Sequence, residues 1–305
     1  MDKTGEIAVI KSIAEAVLSD RDKETAVLYP DKDVIREIIN KLRYILFPEY
    51  FSSEHGSLPE YGVGAALEEV FHRLETQIAI VLKPTPEYKA DSGIARGVTL
   101  EFLKKIPAIR EYLLTDVEAA YEGDPAAYSK AEIIISYPGI FAVTVQRIAR
   151  ELYLLSVPLI PRMMTEQAHG VTGIDIHPGA SIGKYFFIDH GTGIVIGETA
   201  VIGNHVKIYQ GVTVGALSTR GGQLLKGVKR HPTIEDYVTI YSGASILGGS
   251  TVIGENTVIG GNAFVTKSVP EKTRVSVKNP ELQFKTGEST VVKELEQDEF
   301  WYYTI

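Results

Sequence analysis

IGETAV, IGNHVK and IYQGVT, residues 196–213, are three consecutive sixes, each opening on isoleucine and carrying a small or branched residue at the fifth place. Working outward, IHPGAS, IGKYFF and an eight-residue IDHGTGIV (176–195) precede them and VGALST (214–219) follows. After a break at 218–233 the register resumes as IEDYVT, IYSGAS, a seven-residue ILGGSTV, IGENTV and IGGNAF (234–264). A six-residue period is too short for a helix-pair repeat, and its Gly and Asn/Asp at turn positions suit a short strand followed by a tight corner. This predicts a β-helix. Each unit buries its leading aliphatic and its fifth residue inside a solenoid, so coils stack and none is stable alone. An antiparallel sandwich would need strands at spacings of ~8–12 residues, and these are missing.

Ahead of the repeat the period is helical, as in DVIREIINKLRYILF (33–47) and GAALEEVFHRLETQIAIVL (64–82). Asp33 is expected to precede one helix, Asp124-Pro125 to open another with proline at its first position, and Pro158 and Pro161 to stop the last. The longest apolar region, 133–161, contains Gln146, Arg147, Arg150 and Glu151, too polar for a membrane span of ~20 apolar residues. It reads as buried helix. The expected class is therefore α + β: an α-helical domain at 1–170, a β-helix at 171–276 and a C-terminal tail at 277–305.

With 305 residues and 44% apolar composition, the chain can bury a sizeable core. Its formal charge of −8 argues against a nucleic-acid partner, which needs a clustered basic face. Zero cysteines exclude a disulfide framework, a thiolate zinc site and a cysteinyl intermediate. The N-terminus, MDKTGEIAVIKSIAEAVLSDRD, interrupts its apolar positions with charge and lacks the hydrophobic centre of a signal peptide, so a cytoplasmic location is expected.

Regular repeats build structure, so chemistry is sought where they break. IDHGTGIV (188–195) holds two extra residues, which should bulge a corner and expose Asp189 and His190 beside Gly191 and Gly193. The second break, GALSTRGGQLLKGVKRHPT (215–233), extrudes a loop ending in Arg230-His231-Pro232. Other histidines have weaker company: His55 and His72 lie in the helical half, His169 on an expected linker, His205 on an outward corner, and His177 at the end of a first coil. Fifteen residues separate Asp175 from His190, nearly one turn of three sixes, which would stack them on one face. A carboxylate beside an imidazole fixes its tautomer and stabilises the imidazolium, as a general base requires. Two solvated corner residues are the other reading, and spacing alone leaves both open.

The run GIDIHPGASIGKYFFIDHGTGIVIGETAVIGNHVKIYQGVTVG (173–215), with RHPTI (230–234) and GASILGG (243–249), resembles the serine O-acetyltransferases among hexapeptide-repeat acyltransferases. The likeness continues into DPAAYSKAEIIISYPGIFAVTVQRIARELY (124–153). It implies a left-handed parallel β-helix, an exception to the right-handed crossover rule, and a homotrimer or a dimer of trimers with active sites between neighbouring subunits. It also implies transfer of acetyl from acetyl-CoA to the hydroxyl of L-serine, giving O-acetylserine and CoA, the first step from serine to cysteine. By resemblance His190 is the catalytic base and Asp175 its orienting acid. Asp124 and Asp189 hold the substrate amine, Arg230 pairs with the carboxylate through two parallel hydrogen bonds, and His231 completes the pocket. A plain helix cap is the other reading of Asp124. Direct transfer in a ternary complex with no metal fits a chain without cysteine, while a serine or histidine acyl-enzyme stays open.

The family's Gly-Gly-Thr-Gly-Lys is here VGALSTRGGQLLKG, and its Gly-x-Pro-Ala-Arg ending is replaced by TRVSVKNPELQF. Cofactor contacts are accordingly expected from Gly215 and Ala216, from backbone groups at Gly243 and Ala244 along the pantetheine arm, and from the charge of Lys278 or Lys267. The tail, ELEQDEFWYYTI, ends at Ile305 with Trp301 nearby. By resemblance it inserts into O-acetylserine sulfhydrylase; docking on its own domain is the alternative. Cysteine is the expected feedback inhibitor at the serine pocket. Two other readings keep the fold: a zinc hydratase using three of His177, His190, His205 and His231, and a regulatory scaffold for the sulfhydrylase.

Overall fold

A computed structural model describes residues 3–18, 29–51, 59–83 and 93–278. The first half is helical: α1 (Lys3–Leu18), α2 (Lys32–Leu46), α3 (Pro48–Phe51), α4 (Pro59–Leu82), α5 (Ile94–Leu103), α6 (Ile106–Gly123), α7 (Lys130–Ser136), α8 (Pro138–Leu154) and α9 (Ile160–Thr172). The apolar stripes of α2 and of α4 to α9 meet in one core, with Ile38, Leu42, Leu74, Ile78, Leu113, Val145, Ile148 and Leu152 fully buried, whereas Ile7, Ile10, Ile13 and Val17 of α1 are exposed. That core runs without a break into the solenoid. None of the described helices is long and apolar enough to cross a membrane.

Helix boundaries differ from the sequence expectation at four points. The cap of α2 is Asp31, whose Oδ1 accepts from the amides of Asp33 (2.7 Å) and Val34 (3.3 Å), so Asp33 lies one residue inside the helix. Asp124-Pro125 opens no helix. Asp124 terminates α6 in an extended conformation, and α7 starts at Lys130 behind Ser129, which accepts from the Glu132 amide. Pro158 falls between helices, but Pro161 sits in the first turn of α9, where a missing N–H costs nothing. His169, expected on a linker, occupies the last turn of α9, which ends on Gly173 at φ 71°.

The repeat forms three parallel sheets. One contains β1 (Asp175–Ile176), β4 (Val195–Ile196), β7 (Thr213–Gly215), β10 (Ser245–Leu247) and β13 (Phe264–Val265). A second contains β2 (Ser181–Ile182), β5 (Val201–Ile202), β8 (Thr233–Ile234) and β11 (Val252–Ile253). The third contains β3 (Phe187–Asp189), β6 (Lys207–Tyr209), β9 (Thr239–Ile240), β12 (Val258–Ile259) and β14 (Arg274–Val275). Each of the first four coils gives one strand to each sheet, the last gives β13 and β14 to two of them, and the register stacks leading aliphatics on one another: Ile176 on Ile196, Ile196 on Val214, Val214 on Ile246. The fifth residues Ala180, Ala200, Val206, Val212, Val238 and Ala244 are buried as expected. His205 does lie on an outward corner, stacked between Tyr185 (4.2 Å) and Tyr237 (4.7 Å).

Strand β2 edges its sheet, and α8 covers it. Gln146 Nε2 donates to Ala180 O (2.9 Å), Arg147 to Ile182 O (3.1 Å) and Gly183 O (2.7 Å), and Arg150 Nη1 to Gly179 O (2.8 Å). These bonds satisfy carbonyls that an open edge would leave to another chain. Arg147 also grips Asp116 of α6 with two parallel bonds, at 2.6 and 2.8 Å, and Asp116 Oδ1 accepts from Phe186 N (2.9 Å). Two helices and the first coil are thereby locked together.

Candidate active site

The two extra residues of 188–195 do bulge the corner between β3 and β4. His190 takes φ 56° and Gly191 φ 91°, and a Cβ on Gly191 would lie 2.6 Å from Ile174 Cδ1, so glycine is required there. The imidazole of His190 is 60% exposed, with Nε2 3.9 Å from Asp189 Oδ1: an electrostatic neighbour, too long for a hydrogen bond. The end of α6 brings Asp124 to the same corner. Its Oδ1 accepts from the Ala126 amide (2.8 Å) and its Oδ2 from the Tyr137 hydroxyl (2.6 Å). That hydroxyl, chiefly, holds the Asp124 carboxyl below the usual carboxylate value, with the charges of Lys207 and His190 adding to it. The same bond pushes Tyr137 up to about 12. Lys207 on β6 closes the group, lying 3.6 Å from Asp189 Oδ2 and donating to Gly123 O at 2.7 Å.

The second break folds back on another corner, between β4 and β5. His231 is only 7% exposed, and its Nδ1 accepts from Thr199 N (3.0 Å), which puts the proton of the neutral ring on Nε2. Burial first, then the Arg230 charge, lower its pKa to about 4, so the ring is a neutral donor at pH 7. The ring lies so close to the preceding coil that a Cβ on Gly197 would fall 2.1 Å from it. Arg230 pairs with Glu198, whose Oε1 accepts from Tyr153 OH at 3.0 Å. Burial works against ionisation of Glu198, but those two donors outweigh it and hold its pKa low. His177 follows β1 near the start of the first coil, not at its end; its Nδ1 accepts from Gly179 N (3.0 Å), and burial lowers its pKa.

The expected pairing of Asp175 with His190 is not formed. Arg162 of α9 donates to Asp175 Oδ1 at 3.0 Å and also pairs with Glu166. The strand register sets Asp175 on Val195, five residues past His190, and the left-handed corner leaves the imidazole beside Asp189. The helix-cap reading of Asp124 is not met: no helix starts there, and its side chain bonds the turn after α6 and the Tyr137 hydroxyl instead. Gly243 and Ala244 offer no free amide for a pantetheine arm: Gly243 N donates to Gln210 O (2.9 Å) and Ala244 N to Tyr241 O (3.4 Å), bonds the solenoid corner itself demands. Gly215 ends β7 in register with Leu247, Ala216 follows it into the loop, and Lys267 and Lys278 are exposed. Trp301, Ile305 and His55 lie outside the described residues.

Among the described residues the group placed to share a metal is Glu166, His169 and Asp175, and none of the four histidines weighed for zinc belongs to it. Arg162 already compensates both of its carboxylates. Sequence reasoning missed Tyr137, Lys207, Glu198, Tyr153 and Arg162. Only Glu198, beside the paired Thr199, sits at a corner that the repeat itself marks.

No protein-family model matches the chain. A serine acetyltransferase of Synechococcus elongatus is 46% identical over 222 residues, covering 68% of this chain and 70% of that protein. Isoform 3 of serine acetyltransferase from Entamoeba histolytica, solved in complex with cysteine, superposes with a TM-score of 0.72 at 36% identity over 90% of this chain and 93% of that one. The Neisseria gonorrhoeae serine acetyltransferase in complex with serine gives 0.54 at 28% identity, over 79% and 95%. Helical half, parallel solenoid and sequence agree over most of the chain's length: it belongs to the serine acetyltransferase family.

Proposed function

We propose that this chain acetylates serine from acetyl-CoA at the β3–β4 corner, with His190 as general base. His190 takes the proton of the serine hydroxyl as the oxygen attacks the thioester carbonyl. The C–S bond then breaks, and the imidazolium returns the proton to the CoA thiolate, giving O-acetylserine and CoA. Asp189, the carboxylate nearest the ring, stabilises the imidazolium, the part that the family resemblance gives to Asp175. Asp124 and Asp189 present two carboxylates to the substrate ammonium, and Tyr137 keeps Asp124 ionised and aimed.

Arg230 and His231 supply the carboxylate-binding half, the guanidinium as a planar fork and His231 Nε2–H as a neutral donor. Within one chain that half lies on the β4–β5 corner, a full sheet face away from the β3–β4 corner. A homotrimer joins them: the partner subunit's Arg230 and His231 complete the site built around His190. Cysteine as feedback inhibitor at that pocket, a cytoplasmic location, and docking of Ile305 into a sulfhydrylase belong to the same proposal.

The observation that carries this reading is the meeting of an exposed imidazole with Asp189 and the Tyr137-bound Asp124 at one irregular corner. The test is serine-dependent release of CoA thiol from acetyl-CoA. His190→Ala is expected to lose nearly all turnover while keeping its melting temperature, and full activity in that variant would remove His190 as the base.

A further inference from the structure

Lys207 stands at a position that a hexapeptide wall leaves to solvent-facing residues, yet its side chain is only 23% exposed. Four groups converge on it. Its Nζ donates to Gly123 O at 2.7 Å, the terminal carbonyl of α6, which has no partner within the helix. It lies 3.6 Å from Asp189 Oδ2. It stands over two rings, Phe187 at 4.7 Å and Tyr209 at 4.8 Å, whose faces attract a cation and restrict its direction. Its charge also reaches Asp124, the residue after Gly123. The helix end bearing one amine-binding carboxylate and the strand bearing the other are therefore tied through a single side chain.

We propose that Lys207 is a positioning residue for the amino end of the substrate, fixing the Asp124 turn against Asp189 and reducing a two-carboxylate pocket to the net charge that one ammonium neutralises. This rests on the reading of Asp124 and Asp189 as the amine holders. Asp124 and Asp189 carry two negative charges, Lys207 returns one positive charge, and Tyr137 is neutral, which leaves one charge for one ammonium. Without Lys207 the two carboxylates repel each other, and the α6 terminus loses the donor that holds it to β6. The chemical class selected is a zwitterionic α-amino acid with a single ammonium group.

The test measures KM for serine and for acetyl-CoA separately in full-length Lys207→Met, Lys207→Gln and Lys207→Arg, with Asp189→Asn alongside and thermal melts for all. In Lys207→Met and Lys207→Gln, serine KM is expected to rise about tenfold with acetyl-CoA KM within about twofold; Lys207→Arg, which keeps the charge, should recover to within about threefold. If the methionine variant does not fold, the glutamine variant, which keeps a donor but no charge, decides the matter. Unchanged serine KM in a folded Lys207→Gln, or equal damage in Lys207→Arg and Lys207→Gln, overturns the proposal. Unchanged serine KM in Asp189→Asn instead overturns the reading of the carboxylates, so the two failures are distinguishable.

Discussion

Asp116→Asn should destabilise the protein far more than its modest chemistry suggests. Asp116 is 0% and Arg147 7% exposed, and the carboxylate accepts two parallel bonds from the guanidinium and one from Phe186 N. Replacing the carboxylate by an amide leaves the guanidinium buried without a counter-charge, a change that costs about 3–5 kcal/mol. For a unit of this size that is a loss of roughly 6–20 °C in melting temperature. Arg147→Met should cost a similar amount, since it strands Asp116 and also frees the Ile182 and Gly183 carbonyls. The double variant Asp116→Asn/Arg147→Met should be less damaged than the sum, with a coupling of about 2 kcal/mol. Recovery stays incomplete because those carbonyls belong to an edge strand. Asp116 lies two turns before Gly123, so a loosened α6 also shifts Asp124, and serine KM should rise with the stability loss. Thermal melts and serine titrations on the three variants check this. An Asp116→Asn protein melting within about 2 °C of the parent would refute the reasoning that the pair fixes α6 to the first coil.

Three further outcomes are expected. Gly197→Ala drives a methyl into the His231 ring and should cost about 1–3 kcal/mol while raising serine KM, read by melting and steady-state kinetics. Tyr137→Phe removes the 2.6 Å bond that keeps Asp124 ionised and should raise serine KM roughly five- to tenfold with acetyl-CoA KM unchanged. His231 has its pKa lowered from 6.5 to about 4 by folding, so between those values the unfolded chain binds the extra proton; stability contributed by the neutral ring is full above pH 6.5 and is lost as pH falls toward 4, by up to ~3 kcal/mol. Melting curves from pH 7 to 4 should therefore fall more steeply in the parent than in His231→Asn, and parallel slopes would contradict the assignment.

The repeat was legible because its signal is local: each six carries its own aliphatic and its own turn residue, and the stacking of Ile176, Ile196, Val214 and Ile246 follows from the period. The irregular units at His190 and His231 were legible for the same reason, as breaks in a register. Pairings across the chain were not. Tyr137 reaches Asp124 from 13 residues away, Lys207 reaches Gly123 from 84, and Arg162 takes Asp175 from a helix that begins at the prolines expected to stop the last one. Within the chain Asp175 is taken by Arg162 and stands opposite Val195, five residues past His190, contacts that no spacing in the repeat announces. At Gly243 and Ala244 the solenoid takes both amides, and the Gly243 pairing depends on the stacked coil and not on the local sequence.

The central claim is a site built on His190 and completed by the partner subunit's Arg230 and His231, and subunit complementation tests it most directly. His190→Ala and Arg230→Ala chains, each inactive alone, are co-expressed in equal amounts, and CoA release is measured on the mixed oligomers. In a trimer whose sites span neighbours, one site in four pairs an intact His190 with an intact Arg230, so about a quarter of parental activity should return. Mixed oligomers as inactive as either parent variant would place both halves in one chain and contradict the account.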